Sequence, residues 1–173
     1  IDLCIHLNFR SNTMAVDMFI KVGTIEGESV DKTHAGKIDV LAWSWGMSQS
    51  GTTHQGGGGG AGKVNVQDIS FTKYVDKSTT NLMSACCKGT HFDDAVLIVR
   101  KAGDKPLEYI KITMKEVIVT SLSTGGSGGE DRLTENVTLN FAEFKVEYQE
   151  QNPKGGSKGK PEFSWNIAEN SDA

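Results

Sequence analysis

Positive charge is in deficit: 18 Lys and Arg stand against 22 Asp and Glu, leaving a net charge of −4. No stretch of the chain concentrates the basic residues. A nucleic-acid or anionic-membrane surface, which needs clustered cations, is thereby excluded as the main partner. Long apolar runs are also missing, since nothing approaches the roughly eighteen residues of a membrane span. Ile1 to Thr13 has neither the basic start nor the apolar centre of a signal peptide, so any export must do without one. Cysteine is scarce and odd in number, and two of the three, Cys86 and Cys87, are adjacent. Adjacent cysteines on a helix cannot build a disulfide framework, and a reducing compartment is expected for folding.

What is present fits one domain. A chain of 173 residues buries roughly two-thirds of its unfolded surface around a single core. Its organising stretch runs from Lys63 to Lys101. Val64 and Val66, then Ile69, Phe71 and Val75, follow the two-residue period of a strand. Asp76, Ser78 and Thr79 then offer N-cap oxygens, Leu82, Met83, Cys86 and Cys87 recur at helical spacing, and Gly89 supplies a left-handed stop. The apolar run Ala95 to Val99 predicts a strand covered on both faces.

Elsewhere the pattern is strands. Met18, Ile20 and Val22 share a face, and a polar turn at Gly27 to Lys32 follows. Further strands are expected over Ile38–Trp45, Arg132–Tyr148 and around Phe163, Trp165 and Ile167. The buried parity changes between Val40 and Leu41, Val66 and Ile69, Met114 and Val117, and Phe141 and Phe144. Each change is read as a β-bulge, which swaps faces and lets a sheet curl. The fold expected is mainly β: a small closed or nearly closed barrel of curled sheets with one flanking helix. Trp43, Trp45, Phe71, Leu139, Phe141 and Trp165 are its candidate core, and Leu82, Met83 and Cys86 form the inner face of the helix. Ile1 to Thr13 alternates apolar and polar residues and is read as a leader or vector-derived extension, or else as an added edge strand; residues 14–173 form the domain.

Between Gly46 and Gly62 lie seventeen residues with eight glycines. Ordering such a loop costs roughly 1–2 kcal/mol per residue in backbone entropy, so it is expected to order against another protein. Gly46, Ser48, Gln49, His54, Gly56, Gly60 and Gly62 are its candidate contact residues. Gly57, Gly62 and Lys63 imitate a phosphate loop, and Gly57, Gly59 and Gly62 a dinucleotide fingerprint. Val64 stands where a hydroxyl is needed, and a strand follows where a helix should, so neither carries a nucleotide. His34, His54 and His91 are read as solvated or turn-capping, without metal-ligand spacing. Asp93 and Asp94 point to opposite faces of a strand entrance. Both helix cysteines are read as small buried residues. No catalytic constellation, cofactor site or metal site emerges.

A family resemblance comes from longer motifs. Gly27-Glu28-Ser29, His34 and Ile38-Asp39-Val40-Leu41-Ala42-Trp43-Ser44-Trp45-Gly46 resemble the haemolysin co-regulated protein, Hcp, of bacterial type VI secretion. So do Ala61-Gly62-Lys63-Val64, Phe71 to Thr79, Ser123 to Asp131 and Trp165-Asn166-Ile167. The likeness runs from Met14 to near the C-terminus. It implies a barrel similar to phage tail-tube subunits that forms stacked homohexameric rings, the inner tube driven out by a contractile sheath behind a spike. It further implies secretion from the bacterial cytoplasm without signal cleavage, effectors carried in the ring's lumen, and neither enzymatic activity nor membrane insertion. Ser44, between two tryptophans that demand burial, must point out of the barrel and is expected to line that lumen. A ligand-binding barrel and a specialised secreted effector are the alternatives; the first needs an internal cavity and the second an enzymatic extension.

Overall fold

The computed structural model describes residues 16–50, 63–101, 106–129, 131–150 and 159–173. The strands are β1 Val16–Val22, β2 Ile38–Asp39, β3 Ala42–Ser44, β4 Met47–Ser48, β5 Asn65–Val66 and β6 Ile69–Tyr74. After the helix α1, Ser78–Lys88, come β7 His91–Lys101, β8 Leu107–Gly125, β9 Thr134–Asn140, β10 Glu143–Tyr148 and β11 Glu162–Asn166. Nine strands form one antiparallel sheet in the order β2-β1-β7-β8-β9-β6-β3, with β10 and β11 branching from β8; β4 and β5 pair separately.

The sheet is open as a hydrogen-bonded ladder, and a single chain segment ties its two ends together. Val40 donates its N–H to the Met18 carbonyl of β1, and the next residue, Leu41, donates to the Thr72 carbonyl of β6. The expected strand Ile38–Trp45 is therefore two short strands, β2 and β3, with a corner between them. The other parity changes behave alike. β5 ends at Val66 and β6 starts at Ile69, while β9 ends at Asn140 and β10 starts at Glu143. Between Met114 and Val117 the exposed Glu116 takes φ 53, a left-handed conformation that costs a side-chain-bearing residue about 1–2 kcal/mol. At that point β8 exchanges partners, pairing β10 up to Lys115 and β9 from Ile118. The face changes are thus corners. The register irregularities lie elsewhere, at Val99/Arg100 and Val119/Ser121.

Inside the curl, Ile20, Val22, Ile38, Leu97, Met114, Val117, Val137 and Leu139 have no exposure, and Phe71, Phe141 and Phe144 have at most 4%. The three tryptophans expected there are only half-buried and pack against this cluster from its rim. Trp45 keeps its ring edge-on to Phe144 at 4.8 Å and donates its indole N–H to the Gln67 carbonyl at 2.9 Å. A ring with a polar tip is well placed at a boundary where that tip finds a backbone acceptor.

α1 spans Ser78–Lys88 and ends on Gly89 at φ 60, the left-handed stop that glycine takes without a Cβ penalty. Leu82 and Ala85 are buried, whereas Met83 and Cys87 are exposed and Cys86 is half-buried. Positions 78, 82 and 85 lie on one stripe of a 3.6-residue helix; 83 and 87 fall outside it. This corrects the inner face expected for Met83 and the burial expected for Cys87.

Charge anchors the helix. Lys73 and Glu135, cross-strand partners on β6 and β9, are both fully buried with Nζ and Oε1 2.7 Å apart. Lys73 also reaches Asp76 at 2.7 Å and donates to the Tyr74 carbonyl at 2.8 Å. Thr79 of α1 donates to Glu135 at 2.8 Å, and Asp76 accepts the Ser78 N–H at 2.9 Å. Burial raises the affinity of the Asp76 carboxyl for protons, but the hydrogen bonds from Lys73 and Ser78 outweigh it and hold the pKa below the carboxylate range.

Two outcomes are expected. Lys73→Met leaves the Glu135 carboxylate buried without a counter-charge and should cost about 3–5 kcal/mol, whereas Lys73→Met with Glu135→Leu should recover most of that; urea melts of the two variants measure it. Phe71→Ala should cost about 3–5 kcal/mol and Trp43→Ala distinctly less, because a half-buried ring leaves a smaller cavity.

Candidate functional site

Strands bury alternate residues, so the same corners that build the core also assign every second side chain to an outer face. On β3, β6, β9 and β8 that face is made of short polar groups. Ser44 lies opposite Ser70, Ser70 opposite Thr138, and Thr138 opposite Ser121. One row along, Ala42, Thr72, Asn136 and Ser123 repeat the arrangement. The hydroxyls bond sideways: Ser70 and Thr138 are 3.0 Å apart, and Thr72 donates to Asn136 at 2.6 Å. At one margin Asp68 accepts from Thr120 at 2.8 Å and from Asn140 at 2.7 Å. At another, Ser123 to Ser127 with Thr134 and Asn136 line an open cleft of about 430 Å³. Neither row contains a long charged side chain.

Ser44 is exposed on this wall, between half-buried Trp43 and Trp45. Its neighbours Ser70, Thr72, Thr138, Asn136, Ser121 and Ser123 are a wall that sequence reasoning missed. The signal was available as polar residues alternating with Phe71, Val137 and Leu139, but which strands lie side by side is not written in the alternation.

The remaining outer faces differ in chemistry. On β8, β10 and β11, Lys115 pairs with Glu143 at 3.1 Å, Lys145 with Glu162 at 2.9 Å and Lys160 with Glu147 at 2.6 Å. The Glu147 carboxyl is held below the ordinary range chiefly by Lys160. Beside this ladder, the stem of the glycine-rich segment forms the β4–β5 ladder, with Met47 opposite Val66. The expected unstructured stretch therefore begins as a hairpin. Gly46 is half-buried, and Ser48 and Gln49 are exposed; His54, Gly56, Gly60 and Gly62 lie outside the described residues. At the base of the hairpin, Met47, Gln49, Val64, Val66, Phe144, Phe163 and Trp165 line an apolar cleft of about 320 Å³. Met47 and Phe163 are 45% and 49% exposed there, more apolar surface than a solvated rim needs.

His34 is not a solvated turn residue: it is 2% exposed, its ring tilted against Phe19 with centroids 4.5 Å apart. Sequence gave no hint of this, because the residues that cover it come from β1, β7 and β8. His91 is exposed at the start of β7. Among the described residues no group of three or more His, Cys, Asp or Glu is placed to hold a metal, and no helix is long and apolar enough to cross a membrane.

A curled sheet with one flanking helix, a hydroxyl wall and an apolar hairpin base is the geometry to set beside known proteins. The family model described as the type VI secretion system effector Hcp matches residues 19–148. Protein hcp1 of Pseudomonas aeruginosa is 67% identical over 159 residues, covering 91% of this chain and 98% of the relative. The structure of Hcp1 from Salmonella typhimurium superposes with a TM-score of 0.77 at 37% identity, covering 92% of this chain and all of the other. A type VI secretion system effector from Yersinia pestis gives 0.72 at 35% identity, covering 87% and 99%. The chain belongs to the Hcp family of type VI secretion proteins.

Proposed function

We propose that the protein is the repeating subunit of a type VI inner tube, closed into stacked rings of six, with its hydroxyl wall turned to the bore, where it carries small effectors. The wall is the observation that carries this reading. A surface along which folded cargo must travel gains from short, mutually bonded hydroxyls, which neither grip through charge nor project into the passage. Ser44, Ser70, Thr138 and Ser121 form such a row across four strands. Copies joined head to tail close a ring when the rotation allows it, and the apolar cleft below the β4–β5 hairpin, with the glycine-rich segment it launches, supplies surface for subunit or ring contacts. Secretion without a cleaved signal, and contact with sheath and spike, come with the family.

Native mass spectrometry at micromolar concentration should find a hexamer, and monomer alone would overturn the reading. Ser44→Gln should leave the hexamer mass unchanged while lowering the amount of a small effector recovered with the ring from the native cell; undiminished recovery would remove Ser44 from the bore.

A further inference from the structure

Outside the main core, β1 and β7 carry a second apolar patch on their opposite face. Phe19 and its cross-strand partner Ile98 are 3% and 5% exposed, a satellite cluster of the kind found beneath long connections. The segment from Gly27 to Lys37 lies over it. Its two arms are stitched by Gly27 N–H to the Gly36 carbonyl, Ser29 N–H to the Lys37 carbonyl and Gly36 N–H to the Ser29 carbonyl. They approach so closely that a Cβ on Gly27 would stand 2.4 Å from the Lys37 carbonyl oxygen.

Two side chains pin this segment down. In the middle of the segment Asp31 holds Arg100 through both carboxylate oxygens and accepts the His34 N–H at 3.0 Å; Arg100 lies over the Phe19 ring at 5.2 Å, and Asp17 also accepts from Arg100 at 2.9 Å. Three residues on, His34 packs its ring tilted against Phe19, with Lys37 Nζ 2.8 Å from its Nδ1 and Glu108 Oε1 3.0 Å from its Nε2. Lys37 has only protons to offer, so Nδ1 must be the bare acceptor and Nε2 carries the ring proton; Glu108 is near enough to Nε2 for charge attraction but lacks hydrogen-bond geometry, leaving that buried N–H without a hydrogen-bond partner among the described residues. A second proton on Nδ1 would set two donors head-on at 2.8 Å.

We propose that Gly27 to Lys37 is a pH-gated flap: protonation of His34 on Nδ1 expels Lys37, parts the two arms, and uncovers Phe19 and the patch beside it.

The charged groups around His34 decide the sign. Burial, then the field of Lys37, and after them Arg100 oppose the imidazolium; Glu108 and Asp31 favour it. Lys21 and Lys111 stand behind Lys37. Glu108 is 41% exposed, so water screens its attraction. The balance holds the His34 pKa below its ordinary 6.5. A group with a depressed folded pKa contributes stability that is fully present above the ordinary value and lost as pH falls through the folded one. The flap is therefore closed above about pH 6.5 and loosens below it. Asp31 stays pinned, because the hydrogen bond from Arg100 keeps its carboxyl far below the usual range, and it serves as the hinge.

Hydrogen exchange by mass spectrometry on the full chain, corrected for intrinsic rates, compares pH 7.5 with pH 5.0. In the wild type, peptides covering residues 26–38 should lose protection at pH 5.0, while residues 95–99 of β7 hold. Lys37→Met removes the opposing cation but not the burial that also disfavours the imidazolium, and should make the acid loss over residues 26–38 smaller than in the wild type. His34→Gln, whatever its absolute protection, should show no difference between the two pH values. Equal wild-type protection at both, acid loss undiminished in Lys37→Met, or pH dependence surviving in His34→Gln would each overturn the flap. Rings need not form for this test, so it stands or falls apart from the tube reading.

Discussion

One constraint runs through the structure: a single antiparallel sheet has to curl round one core, and a strand that keeps its two-residue period cannot turn with it. Each strand must therefore stop, or cross a corner, where the inside changes sides. β8 does so at Glu116, accepting a left-handed backbone in an exposed position. β9 and β10 do it across Phe141–Phe144, leaving Ala142 to donate to the Lys115 carbonyl. The segment from Ile38 to Ser44 does it at Val40–Leu41, where consecutive amides bond opposite ends of the sheet. Together these corners close the apolar interior without a closing ladder.

The helix is attached by charge as well as by its apolar stripe. Lys73 and Glu135 are buried in the sheet facing α1; Asp76 and Thr79 at the start of the helix add bonds to them, while Glu135 Oε2 stays without a hydrogen-bond partner among the described residues. A buried pair of this kind adds little net stability over an apolar substitute, but it is intolerant of any register in which one partner is left alone. It thus specifies where the helix begins relative to β6 and β9. Leu82 and Ala85 supply the contact that makes the docking favourable.

The corners also sort the outer surface into chemically distinct faces, because each strand carries its outward residues to a different neighbour after turning. Hydroxyls gather on β3, β6, β9 and β8, paired charges on β8, β10 and β11, and a covered apolar patch on β1 and β7. The proposed tube would need different surfaces toward cargo, toward neighbours in a ring and toward stacked rings, and this curled sheet gives one small domain such separate faces.

Much of this was determined by local sequence. The alternation of Met18, Ile20 and Val22, the doubly covered run Ala95–Val99 and the Gly89 stop follow from period and backbone preference alone, and the parity changes marked where the chain must turn. Whether each change is a bulge or a corner, that the tryptophans stop at the rim, that Met83 and Cys87 face water, and that Ser44 has Ser70 and Thr138 beside it were decided by tertiary structure. The same holds for the burial of His34 under groups contributed by β1, β7 and β8. The physical reason is that periodicity records which way a side chain points from its own strand, whereas burial and pairing depend on which strands become neighbours, and that is settled only when the whole sheet curls.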